Sequence, residues 1–140
     1  MSRIFWDTNL FIYLFEEDPQ FSKPTIELRR KMLKRGDQLV TSTMTLGEVQ
    51  IKPRQTGHWA LADSYKHSIA QAASLVSFDT KAADAYAVIR ERTGVRGPDA
   101  IQLACASSFG VEIFVTNDLR LHQYCIPGIH FITSLDRVPI

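Results

Sequence analysis

The sequence reads as a three-layer α/β/α domain with a central, mainly parallel sheet. Short apolar runs of strand length alternate with amphipathic stretches of helix length along nearly the whole chain. Such alternation places helices on both faces of a parallel sheet. With 140 residues and no linker, repeat or low-complexity stretch, one domain over residues 1–140 is expected.

Arg3–Trp6 is a buried strand that runs into Asp7-Thr8-Asn9, a cluster suited to a helix start. Leu10–Phe15 is helical and stops near Asp18-Pro19. Lys23–Arg35 is a helix with Pro24 in its first turn, Ile26 and Leu33 on one face, and Gly36 closing it. Gln38–Ser42 is the second strand, and Thr43–Ile51 a helix that Thr43 can cap. Lys52–Gly57 reads as loop. Trp59–Ala73 is a helix and Ser74–Phe78 the third strand. Asp79–Thr93 is the clearest helix, with Ala82, Tyr86 and Ile89 on one stripe and Gly94 at its end. Pro98 opens a helix over Asp99–Ser108. Glu112–Thr116 is the fourth strand, Leu119–Tyr124 a short turn or helix, and His130–Thr133 a last short strand.

Composition narrows the function. Apolar residues are 45% and charged residues 22%, which fits a folded core and not a disordered chain. Sixteen basic against 15 acidic residues leave a net charge of +1, which excludes a strongly basic nucleic-acid coat but not a local patch. No apolar run approaches bilayer length, and no signal peptide is read at the N-terminus, so no membrane partner is expected. Cys105 and Cys125 lack metal-type spacing. They are expected as free thiols in a reducing cytoplasm.

The informative residues are four acids. Asp7 follows the first strand directly, and Asp118 follows Ile113-Phe114-Val115 by two residues. In a parallel sheet both strand ends open on one edge, where ligands bind. Asp99 lies in the first turn of its helix, where the dipole favours negative charge. Glu48 sits inside the apolar stretch Leu46-Gly47-Glu48-Val49, where a carboxylate needs a partner. Taken alone, Asp7 and Asp99 also read as helix caps, Glu48 as a solvent-facing side chain, and Asp118 reads first as a turn residue. Together, four converging carboxylates repel unless a cation sits between them. All-oxygen ligation suits magnesium or manganese, ions that activate water and hold a phosphodiester.

These residues fall in motifs that resemble the PIN-domain ribonucleases, most closely the VapC-type toxins of type II toxin–antitoxin pairs. The motifs are Ile4-Phe5-Trp6-Asp7-Thr8-Asn9, Ser42-Thr43-Met44-Thr45-Leu46-Gly47-Glu48, Pro98-Asp99-Ala100-Ile101-Gln102-Leu103-Ala104 and Val115-Thr116-Asn117-Asp118. Each is weak singly; the ordered set spans nearly the whole chain. The resemblance implies a PIN-like fold and a metal-dependent endoribonuclease on single-stranded RNA. Asp7, Glu48, Asp99 and Asp118 then match the family's catalytic, Mg²⁺- or Mn²⁺-holding acids. Thr8, Asn9 and Thr116 match supporting polar positions. Hydrolysis would leave 5′-phosphate and 3′-hydroxyl ends without a histidine base. His58, His67, His122 and His130 share no local motif. The resemblance also implies a cognate antitoxin and a homodimer.

RNA affinity needs cations near the acids. Arg96, three residues before Asp99, is the first candidate, with Lys52 and Arg54 after the Glu48 helix. The basic run Arg29–Arg35 reads as a solvated helix face. Aromatics crowd the first 21 residues, enough to leave apolar surface around the first helix. Two other phosphate-handling classes fit less well. A haloacid-dehalogenase-type phosphotransferase needs an aspartate at position 9, where Asn stands, and a receiver domain needs an acidic pair where Asp7-Thr8 stands. A PIN nuclease of RNA processing or decay, and an inactive RNA-binding PIN module, remain alternatives. With the four acids set aside, 16 basic residues face 11 acidic ones, so the low net charge can conceal an acidic pocket in a basic surface.

Overall fold

Side chains alternate across the first strand, so Ile4 and Trp6 enter one hydrophobic core while Phe5 enters another. That alternation requires helices on both faces. In a computed structural model that describes all 140 residues, both are covered. Five strands form the sheet: β1 (Arg3–Trp6), β2 (Gln38–Ser42), β3 (Ser74–Val76), β4 (Val111–Val115) and β5 (Ile129–Thr133). Their order is β3-β2-β1-β4-β5, and every neighbouring pair is parallel.

One face carries α1 (Thr8–Phe15), α2 (Ser22–Arg35), α3 (Thr43–Glu48), α4 (Ile51–Gln55) and α5 (Trp59–Ala72). There Trp6, Leu10, Leu28, Met32, Ile69 and Val115 share a core. The other face carries α6 (Thr80–Thr93) and α7 (Pro98–Phe109). There Phe5 stacks on its register partner Phe114, ring centroids 4.9 Å apart and 7° from coplanar. Ala100, Ala104, Cys105 and Ala106 are small enough to bring α7 close against the strands. Both cysteines are free, and burial pushes the Cys105 thiol up to about 11.

Gly128 precedes β5 at φ +86°, and a Cβ there would stand 2.3 Å from the Ser107 carbonyl oxygen. Only glycine lets the chain pass α7 at that point. Single 3₁₀ turns lie at Leu119–Leu121 and Leu135–Arg137.

Three expectations are corrected. Lys52–Gly57 is not a loop, since Ile51–Gln55 forms α4 with Pro53 buried in its first turn. A proline is tolerated there because first-turn N–H groups have no helical acceptor. The helix expected over Thr43–Ile51 ends at Glu48, and a turn at Val49-Gln50 separates it from α4. On α2 the Ile26–Leu33 stripe faces outward, and Thr25, Leu28 and Met32 form the packed face. The three buried residues fall at i, i+3 and i+7, a stripe that the spacing of Ile26 and Leu33 obscured. The aromatics near α1 largely cover one another: Phe15 stacks on Tyr65 and Tyr13 packs on Phe21. On α2, Ile26 and Leu33 stay exposed beside Leu14.

This reversal is measurable. Met32→Ala should cost about 2–5 kcal/mol in denaturant unfolding, while Leu33→Ala should stay within about 0.5 kcal/mol.

Candidate active site

The strand order reverses between β1 and β4, leaving a crevice at their carboxyl ends. Register pairs Trp6 with Val115, so the next residues, Asp7 and Thr116, emerge side by side. The Asp7 N–H donates to the Val115 carbonyl at 3.1 Å. Thr116 Oγ1 is fully buried and donates to Asp7 Oδ2 at 2.7 Å. The same oxygen accepts the Asp118 N–H at 3.1 Å. One threonine therefore sets the spacing of two acids. Burial is the main cause that pushes the Asp7 carboxyl above its ordinary 3.8; the Thr116 hydroxyl opposes it, and Asp99 and Glu48 add like charge.

Glu48 comes from the end of α3 and is held by a hydroxyl and an amide rather than by a cation. Thr8 Oγ1 donates to Glu48 Oε1 at 2.6 Å. Gln102 Nε2 donates to Thr8 Oγ1 and to Thr45 Oγ1, each at 2.9 Å, and lies 3.4 Å from the same Glu48 oxygen. Ser42 Oγ donates to Gln102 Oε1 at 2.5 Å. Thr41 Oγ1 gives its proton to the Trp6 carbonyl, so the Thr45 hydroxyl is left to donate to Thr41 or Thr8. All of these except Glu48 are buried. The network fixes the amide orientation, because a flipped Gln102 would set its oxygen against the Glu48 carboxylate.

Asp99 stands in the first turn of α7 behind Gly97 (φ +67°) and Pro98. Burial is the main cause raising its pKa, Asp118 adds to it, and Arg120 opposes. Asp118 behaves oppositely, held below the usual carboxylate range first by its hydrogen bonds from the Arg120 side chain. Arg120 Nε donates to Asp118 Oδ1 at 2.9 Å and Nη2 to Oδ2 at 2.5 Å, while Nη2 lies 3.6 Å from Asp99 Oδ2.

All four acids line one cavity of about 320 Å³, with Thr8, Asn9 and Lys52. Lys52 pairs at 2.6 Å with Glu16, which lies outside that cavity. A larger cavity, about 520 Å³, lies beyond Asn117 and is lined by Phe21, Leu119 and Arg137; Asp136 is its only carboxylate. Charge, not size, therefore sets the acidic cavity apart. Arg54 and Arg96 are exposed and do not line the acidic cavity, and Arg54 Nε is spent on Gln50. No histidine lines it, and His122 Nε2 donates to the Thr116 carbonyl at 2.8 Å.

Sequence reasoning missed Gln102 and Arg120. Gln102 had a signal, as a lone amide in an otherwise apolar helix stretch. Arg120 had one in its two-residue spacing from Asp118.

The donor set fits a hard divalent cation: every candidate ligand is a carboxylate oxygen, and a guanidinium already stands as a cation against two of them. The acids line the cavity wall rather than closing on a point, and no three His, Cys, Asp or Glu side chains form a ready metal cluster.

The fold and the site define an α/β domain with an acidic centre at its sheet edge. The chain belongs to the PIN domain family, whose model matches residues 4–127. PIN domains are nucleases that generally use divalent metal ions. Solved structures of similar fold include three VapBC complexes. One is VapBC from Salmonella typhimurium bound to DNA, at 25% identity and TM-score 0.70, over 96% of this chain and 99% of that one. VapBC2 from Rickettsia felis on a promoter DNA fragment has 19% identity and TM-score 0.71, over 94% and 98%. VapBC-5 from Mycobacterium tuberculosis, a toxin–antitoxin system, has 18% and 0.60, over 96% and 99%. No curated protein matches the chain by sequence. No helix is long and apolar enough to cross a membrane.

Two outcomes follow for stability. A carboxyl with a raised folded-state pKa binds its proton more tightly folded than unfolded, so its penalty grows as pH rises from 3.8 through the raised value. In EDTA, Asp7→Asn should stabilise the protein at pH 7 by about 0.5–2 kcal/mol, and the gain should vanish near pH 3. Gln102→Ala should cost about 1–3 kcal/mol by leaving buried hydroxyls without partners, read by thermal unfolding.

Proposed function

We propose that this chain is a Mg²⁺- or Mn²⁺-dependent endoribonuclease that hydrolyses single-stranded RNA. It acts as the VapC-type toxin of a toxin–antitoxin pair. The observation that carries the reading is the meeting of Asp7, Glu48, Asp99 and Asp118 on one cavity at the sheet's switch point.

These four carboxylates would hold the metal, directly or through water. When bound, the metal supplies an activated water and offsets charge on the leaving 3′-oxygen. The remaining work falls to this chain. The Thr116 hydroxyl aims Asp7, and Thr8 with Gln102 aims Glu48, so neither acid searches rotamers during the reaction. Asn9 sits exposed on the cavity rim, within reach of a ribose or phosphate. Lys52 lines the same cavity and can exchange Glu16 for an RNA phosphate. Arg96 and Arg54 lie outside, and their part is to hold flanking backbone. With no histidine in the cavity, the chain offers no imidazole to deprotonate a ribose 2′-hydroxyl. Water as nucleophile predicts 5′-phosphate and 3′-hydroxyl ends.

The antitoxin reading is supported by the fold shared with VapBC complexes. It is supported further by the outward Ile26–Leu33 stripe beside Arg29 and Arg30, which a partner chain can cover. A homodimer and a cytoplasmic location belong to the same reading.

With Mn²⁺ and a single-stranded RNA, Asp7→Asn and Asp99→Asn should each cut cleavage by about 100-fold or more. Products should carry 5′-phosphates, and expression should arrest growth only for the wild type. Retained cleavage in both variants, or 2′,3′-cyclic ends, would overturn the assignment.

A further inference from the structure

Of the six ion pairs in the molecule, two involve the four acids of the cavity, and both are made by Arg120. Its Nε and Nη2 take the two oxygens of Asp118 as a fork, and Nη2 also faces Asp99 at 3.6 Å. A forked guanidinium covers the inner lone pairs of a carboxylate, the same ones a chelated cation would use. The Asp118 Oδ1 atom also accepts the Arg120 N–H at 3.1 Å, which closes the 3₁₀ turn Leu119–Leu121. Turn and fork thus depend on one carboxylate.

Arg120 is not a buried structural residue. Its side chain is 79% exposed, so the pair is screened by solvent and can open at little cost. Lys52, the other cation at the cavity, is engaged with Glu16. Asp7 and Glu48 are fixed by hydroxyls and an amide, which can stay in place when a cation arrives. Asp118 is fixed by a positive charge, which cannot.

We propose that Arg120 is a built-in counter-ion of the acidic site, and that a divalent cation binds by displacing its guanidinium from Asp118 and Asp99. The proposal rests on the reading that these acids hold metal. It makes metal affinity the outcome of an internal competition. It also explains how carboxylates that repel one another stay ordered on one cavity.

The test is metal binding without RNA. By calorimetry with Mn²⁺, Arg120→Ala should bind about three- to tenfold more tightly than wild type, the scale of a screened ion pair. Arg120→Lys keeps the charge but loses the fork, and should fall between them. In wild type, the Arg120 Nε–H resonance should move toward that of a free arginine as Mg²⁺ is added. Unchanged or weaker binding by Arg120→Ala overturns the proposal. So does an Arg120→Lys affinity equal to wild type, which would reduce the effect to through-space charge, or an Arg120 resonance that ignores Mg²⁺. If neither wild type nor Arg120→Ala binds Mn²⁺, the metal-site reading itself fails and takes the proposal with it.

Discussion

The site depends on the parallel alignment of β1 with β4. Phe5 stacked on Phe114 and Trp6 beside Val115 set that register. A slip of one residue would send every side chain of β1 to the opposite face, placing Trp6 in the core that fits Phe5 and breaking the Phe5–Phe114 stack. Packing of the core therefore decides where the chain leaves the sheet. Asp7 and Thr116 are the first residues beyond the paired strands, and both are positioned by hydrogen bonds that the register makes available. The geometry of the acids is in this sense a consequence of hydrophobic packing several residues away.

The helices are tied to that edge by a polar knot. Gln102 lies three residues after Asp99 on α7, so the two share one helix face. Its amide reaches Thr8 on α1 and Thr45 on α3, and Ser42 at the end of β2 donates to it. A buried amide is costly when unpaired, and here every polar atom of the side chain has a partner. Anchoring Gln102 thus anchors the helix that presents Asp99, and the same amide supports Glu48. Apolar residues at these positions would give comparable packing but no directional link between three helices.

This division explains what was legible in the sequence. Strand alternation, the α6 stripe and the four acids were readable because each follows from local period or from position at a strand or helix end. The outward face of α2 was not, since Ile26 and Leu33 satisfy a helical spacing as well as Leu28 and Met32 do. Only tertiary packing selects between two such stripes. The α4 helix hid behind Pro53, which resembles a breaker until its first-turn position is known. Lys52 and Arg96 lie at similar distances along the chain from a site acid, yet one lines the cavity and the other does not. Sequence proximity carries no information about which way a loop turns. Arg120 is hidden in the sequence for a related reason: a cation two residues from an acid reads as a turn, and only the fold shows its fork closing on Asp118.

The four carboxylates meet their mutual repulsion in different ways, and the differences matter chemically. Asp7 is half-buried, and its shielding from water makes it hold its proton more tightly than an exposed aspartate does. Glu48 takes hydroxyl and amide hydrogens. Asp118 takes a guanidinium, which it shares at longer range with Asp99. A divalent cation would relieve all four at once, because its charge favours the deprotonated form of Asp7 and outcompetes a single positive charge at Asp118. The hydrogen bonds to Asp7 and Glu48 lie on their sheet and helix sides and need not break for this. The site is therefore stiff where hydroxyls hold it and exchangeable where Arg120 holds it. That asymmetry is what a centre needs if its acids must keep their positions while the cation between them changes.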